Sequence, residues 1–155
     1  MKTTGMTPIV KNVTRLVTGF IAVFGIYIAL TGHVGPGGGF AGGVILAAAV
    51  VLVVLAFGGA FSRKLLTERQ SHIWDAAGAL GFLLIALLGY FSAGFFRNWL
   101  SPGTAGEFAS GGMIAPANLA IFVKVGAGMA GVFLALAAFR RGDVRRGELD
   151  ERLSG

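Results

Sequence analysis

Gly32-His33-Val34-Gly35-Pro36-Gly37-Gly38-Gly39-Phe40-Ala41-Gly42-Gly43 is the stretch whose reading decides the fold. One apolar run precedes it and a longer one follows. Glycine tolerates positive φ, and Pro36 fixes its own φ while driving the residue before it out of the helical region. The stretch therefore reads as a tight turn between two helices that ends at the start of the second. Gly39 and Gly43 are four residues apart, as are Gly38 and Gly42, so each pair shares a helix face. In a lipid-embedded chain such small-xxx-small spacing lets another backbone come close.

Two soluble readings of the stretch fail. Gly37-x-Gly39-x-x-Gly42 satisfies the dinucleotide-binding pattern, which needs a preceding strand and an acidic residue about twenty positions on. Here the preceding segment is helical in pattern, and the first acidic residue is Glu68. Phosphate binding at a helix N-terminus lacks support from any lysine or arginine between Arg15 and Arg63.

Outward from the turn, four long apolar segments appear. The first covers about 10–31, with Lys11 and Arg15 snorkelling near its start. The second covers about 40–61 and carries no charge. A third runs over about 74–96, with Asp75 in its first turn, where the helix dipole favours a carboxylate, and Trp74 and Tyr90 suited to the interfaces. The fourth spans about 113–139, with Pro116 in its first turn. Each is long enough to cross a bilayer. The fold class is thus all-α: an integral membrane protein with four transmembrane helices in one domain over 1–155, ending in a tail at 140–155. Residues 62–73 and 97–112 read as polar connections.

Composition agrees. The chain has 155 residues, 55% apolar, a mean hydropathy of +0.78 and 13% charged residues. A soluble domain carries about twice that charged fraction. The net charge of +6 does not point to nucleic acid, because the basic residues cluster at the ends of apolar runs. With no cysteine, disulfides and thiolate metal sites are excluded. No small-residue cleavage site follows the first run, which therefore reads as a retained anchor. Eleven lysines and arginines fall in 1–15, 62–73 and 140–155, with Lys11 and Arg15 at the edge of the first span, against Arg97 alone in the other two connections. The positive-inside rule then places both termini and the middle connection in the cytoplasm.

The motif Gly32-His33-x-x-Pro36-Gly37-Gly38-Gly39-Phe40-x-Gly42-Gly43 resembles the signature of the MnhB-type subunits of multisubunit Na+/H+ antiporters, the Mrp or Mnh complexes. Related subunits occur in membrane-bound hydrogenases. The family often has polar residues after the histidine, where this chain has Val34-Gly35. The resemblance implies a non-catalytic, cofactor-free membrane subunit of a Na+/proton antiporter in a prokaryotic cytoplasmic membrane. It also implies partners of the A, C, D, E, F and G types, with Na+ and H+ as the transported ions. The same subunit type in a hydrogenase or other respiratory complex is one alternative. A free-standing small transporter or scaffold is another.

Three polar residues are candidates for the chemistry. Lys124 is the only charge deep in a span, about 16 Å from the outer end of the fourth. At that depth a lysine costs about 2.5–3.5 kcal/mol on insertion scales, so it needs a partner or a water-filled cavity. It reads as a structural ion pair with a carboxylate on another subunit, as a group on a proton or cation path, or as a neutral packed lysine. In the related subunits this region carries an ionisable residue, acidic in some; Lys124 matches in place and reverses the charge. Asp75 is either a helix-terminal carboxylate or part of an ion path. Asn118 is turned about 120° from Lys124 and suits a hydrogen bond across helices. Gly126, Ala127, Gly128, Ala130 and Gly131 predict close contact with another helix. His72 reads as a wetted interfacial residue. His33 reads as a cap on exposed carbonyls in the turn or as a proton-linked switch. No arrangement of residues suggests a metal site or a catalytic triad.

Overall fold

The computed structural model describes residues 6–58, 67–91, 94 and 110–153, without the side chains of Glu68 and of 139–153. Among them are four α-helices and no strand: α1 Pro8–Thr31, α2 Gly39–Phe57, α3 Glu68–Phe91 and α4 Ile114–Leu153. All four contain segments long and apolar enough to cross a membrane, over Pro8–Thr31, Gly39–Phe57, Arg69–Phe91 and Ile114–Ala138. A helix of this length satisfies its own backbone groups, which hydrocarbon cannot do.

The helix ends follow from local chemistry. Pro8 occupies the first turn of α1, where its missing N–H costs nothing. α2 stops at Phe57, four residues short of the expected 61. Gly58 leaves the helix at φ +78 while its N–H still bonds to the Val54 carbonyl. α3 begins at Glu68 rather than near Trp74, because the polar residues 68–73 are compatible with a helix and extend it toward the interface. Asp75 is therefore the eighth residue of α3 and not part of its first turn, which corrects the helix-terminal reading. Ser71, expected in the connection, is 1% exposed and packs against α4. α4 continues past the expected end at 139 as one helix of 40 residues, about 60 Å long. Its apolar part is enough to span a bilayer, so the rest extends beyond it. Most of the 97–112 connection lies outside the described residues.

α2 and α4 lie at the centre. α2 packs on α1 and α4, and α4 packs on α2 and α3, while α1 touches α4 only slightly. The glycines set these distances. A Cβ on Gly42 would lie 2.9 Å from the Ala29 Cβ and would collide with the Gly25 carbonyl oxygen, so this face of α2 meets α1. Gly39 and Gly43 meet α4 instead. A Cβ on Gly39 would collide with the Asn118 carbonyl, and one on Gly43 would lie 2.9 Å from the Phe122 carbonyl oxygen. The close contact expected at Gly39 and Gly43 is thus made within the chain. The small residues of α4 are shared between two neighbours: Gly126 faces Gly43 and Leu46 of α2, whereas Ala127, Gly128 and Gly131 face α3.

This packing generates a prediction. Gly43→Leu forces a side chain into a backbone contact and costs at least about 1–3 kcal/mol of overpacking. Gly19→Leu meets nothing within 4 Å and is expected to be neutral. In detergent, thermal aggregation followed by size-exclusion chromatography is expected to show an earlier loss of monodisperse protein for Gly43→Leu alone. Equal stability of the two variants would contradict the packing.

Candidate functional site: an ion pair within the membrane

α3 and α4 run antiparallel, and their contact is built from small residues. Ser71, Asp75 and Gly78 recur at helical spacing on α3. Ser71 Oγ donates a hydrogen bond to the Ala127 carbonyl. At Gly78 a Cβ would lie 2.6 Å from the Lys124 backbone N and 2.8 Å from the Ala120 carbonyl oxygen. The two backbones therefore touch beside Lys124. Between these contacts, Lys124 Nζ donates to Asp75 Oδ1 at 2.9 Å. The Asp75 carboxylate also sits against Gly128, where a Cβ would lie 3.3 Å from Oδ1. A larger residue at 128 would crowd the carboxylate.

The partner of Lys124 is thus in the same chain. The reading that placed a carboxylate on another subunit opposite it is corrected for this contact: antiparallel packing brings α3's acidic residue to the depth of α4's basic one. Both ends of the pair remain open. The lysine side chain is 47% exposed and the aspartate 36%. Lys124 lies ten residues from the start of α4 and fourteen from Ala138, or about 15 and 21 Å. Charges at such depth face a protein interior or water rather than lipid. The open side of this pair therefore calls for a covering that lipid does not provide.

Asn118 belongs elsewhere. Its amide lies beside Gly32 and Gly38, where Cβ atoms would come within 3.2 Å of Nδ2 and 3.6 Å of Oδ1. It lodges in the glycine turn, on the face of α4 that meets α2, and is not brought to Lys124. The turn itself is stabilised by the Thr31 carbonyl, which accepts from the N–H groups of Val34 and Gly35. Gly37 and Gly38 have φ of +143 and +127, a region that strains any residue with a Cβ. Pro36 and Phe40 are exposed, and the His33 ring packs against Gly111, at the entrance to α4. An open cleft of about 370 Å³ lies beside the turn, lined by Tyr27, Thr31, His33 and Pro36 among others. Trp74 is exposed and lines an apolar groove with Leu46, Val50, Phe122 and Val123. Among the described residues no group of His, Cys, Asp and Glu could hold a metal ion.

Ser71 and Gly78 are neighbours of the pair that the sequence reading passed over, and Gly128, read there only as a helix contact, sits against the Asp75 carboxylate. The signal existed: Asp75 is the only acidic residue within any span and Lys124 the only deep basic one.

Comparison with known proteins follows the same helices. Residues 9–131 match the family described as a domain related to the MnhB subunit of Na+/H+ antiporter. An uncharacterised protein of Methanocaldococcus jannaschii is 34% identical, over 79% of this chain and 49% of its own length. The B-type subunit of the Na+/H+ antiporter of Bacillus subtilis is 41% identical, over 52% of this chain and 54% of its own. The chain spans about half the length of these curated relatives. Among solved structures, a chain of the membrane-bound sulfane sulfur reductase, an archaeal respiratory membrane complex, superposes with a TM-score of 0.70 at 29% identity. That match covers 84% of this chain and 60% of the other.

The pair predicts a charge-swap result. Lys124→Ala or Asp75→Asn leaves one charge unpaired at depth, which costs about 2.5–3.5 kcal/mol on insertion scales. Both variants are expected to give less folded protein in membranes. Asp75→Lys with Lys124→Asp re-forms the pair and is expected to recover most of the yield by quantitative blotting. A double variant as poor as the singles would show that the pair does not stabilise the chain.

Proposed function

The chain belongs to the family of domains related to the MnhB subunit of Na+/H+ antiporters, and on that premise we propose that it works as a non-catalytic subunit of a multisubunit cation/proton antiporter. The observation that carries the proposal is the family match across residues 9–131, which takes in the glycine turn and both residues of the ion pair. Its four-helix, multi-pass architecture agrees. The chain acts as a single transmembrane domain in a prokaryotic cytoplasmic membrane. Its partners are the large A- and D-type and the small C-, E-, F- and G-type subunits. The complex uses the proton gradient to expel Na+. The chain itself carries no cofactor and makes no covalent change to a substrate.

Within that complex the glycine turn has an architectural role: Gly32, Gly38, Gly39, Gly42 and Gly43 close α1, α2 and α4 upon one another, with Asn118 lodged between them. Lys124 and Asp75 are the chain's contribution to the ion path. The half-open state of an intramembrane ion pair supports this, since charges held within spans face water or protein and mark ion pathways. A second reading rests on the sulfane sulfur reductase chain, which matches most of this one: the same subunit in a redox-driven respiratory complex. Subunits recovered by mild-detergent purification separate the two. Antiporter subunits are expected. Redox subunits carrying iron–sulfur clusters would favour the second reading.

Two further outcomes are expected. In everted vesicles the complex with Lys124→Ala or Lys124→Arg is expected to lose Na+/H+ exchange out of proportion to its loss of assembly, because arginine keeps its charge throughout the working range. Exchange that falls only in step with assembly would assign the pair a structural role. For topology, the positive-inside count places 62–73 and both termini in the cytoplasm. Ser71 is buried, so Gln70→Cys and Val34→Cys, both exposed positions, are the suitable probes. Impermeant thiol reagents are expected to reach them from opposite sides, and labelling of both from one side would overturn the topology.

A further inference from the structure

The two sides of the α3–α4 contact differ in chemistry. With about 100° per residue, Trp74 and Val123 are each turned away in the same sense from Asp75 and Lys124. They line the apolar groove with Leu46, Val50, Phe122 and Gly126. On the other flank α3 presents His72, Ala76 and Ala79 beside Asp75. His72 and Ala76 are exposed and Ala79 is half-buried. His72 precedes Asp75 by three residues, which makes the two neighbours on the helix surface, about 5–6 Å apart at Cβ. Lys124 follows Asp75 at 2.9 Å. Three titratable groups thus form a ladder. It starts one turn into α3, on the side where that helix begins, and ends about 15 Å from the opposite end of α4. Of the other titratable side chains described on these helices, Arg69 is turned about 120° from Asp75. Tyr90 lies about four turns further along α3.

The ladder's hydrogen bonding is incomplete. An ammonium has three N–H donors and a carboxylate two acceptor oxygens, and the bond between them uses one of each. The remainder includes donors and acceptors together, which water satisfies at once. The alanines add little bulk beside the charges.

We infer that this flank lines a water-filled half-path, open on the side where α3 begins, along which His72 passes protons to the Asp75–Lys124 pair. The inference rests on the antiporter reading and adds the route and the entry residue. Each transfer balances. Protonated His72 gives its proton to the Asp75 carboxylate, leaving neutral imidazole and a carboxylic acid. Lys124 passes a proton toward the middle of the complex. Asp75 then returns its proton to Lys124, and the ion pair re-forms. His72 then takes up a proton from water on the open side, so that one proton has entered at His72 and one has left from Lys124.

The chain has no cysteine, so introduced thiols report without background. In the purified complex in proteoliposomes, Ala76→Cys and Ala79→Cys are expected to react with a charged, impermeant methanethiosulfonate reagent from the α3-start side only. Val123→Cys, in the apolar groove, is expected to stay unlabelled. In the same complex His72→Gln is expected to lower the proton flux coupled to exchange by about a hundredfold, the low end for loss of a positioned proton-transfer group. His72→Gln with normal assembly and normal flux would overturn the role of the histidine. Failure of both alanine positions to label in an assembled complex would overturn the path and show that a partner helix or lipid covers the flank. Labelling at Val123 equal to that at Ala76 would do the same, since no selective aqueous flank would exist. A wild-type complex without Na+/H+ exchange would refute the antiporter reading, yet the labelling would still decide whether the flank is wet.

Discussion

Backbone contact between α2 and α4 is the constraint on which the remaining structure depends. Inside a bilayer no hydrophobic force draws helices together, so association rests on close van der Waals approach and the occasional polar bond. Gly39 and Gly43 let α2 come against the Asn118–Gly126 segment of α4. That contact fixes the depth of α4, and with it the depth of Lys124. One face away, Gly42 and Gly25 bring α1 in. The turn of positive-φ glycines thus ends in a helix whose first two turns hold two neighbours.

α3 is held differently. It packs mainly on α4, through Gly78, the Ser71–Ala127 hydrogen bond and the Lys124–Asp75 pair. A polar bond or ion pair replaces the dense glycine contact of α2. Such an arrangement tolerates a charged group in a span because the partner is supplied in cis. It also leaves one side of the pair open, and that open side makes the α3–α4 flank the chemically distinctive surface of the chain.

Much of this architecture was legible in the amino acids. The four apolar runs, the turn at Gly32–Gly43 and the small residues after Lys124 each carry a local signal that depends on period and composition. Helix ends were less legible. Gly58 ends α2 through one backbone conformation, and residues 68–73 are polar yet helical, so hydropathy misplaces both boundaries. Asp75 was misread for that reason: its place in the first turn followed from a helix start set six residues late. The Lys124–Asp75 pairing depends on which helices are neighbours, and a gap of 49 residues along the chain carries no such information. The separation of Asn118 from Lys124 was readable from helical angle alone, but its lodging beside Gly32 and Gly38 was not.

Centrally, the chain carries its own ion pair between two apolar helices and leaves it half open. A cryo-electron microscopy map of the intact complex, sharp enough to place side chains and ordered water, tests this most directly. Asp75 and Lys124 are expected within hydrogen-bond distance across the α3–α4 contact, close to the 2.9 Å separation seen in the isolated chain. Their open side is expected to face water or protein. Side chains turned apart toward different subunits, or a pair facing acyl chains, would contradict the account.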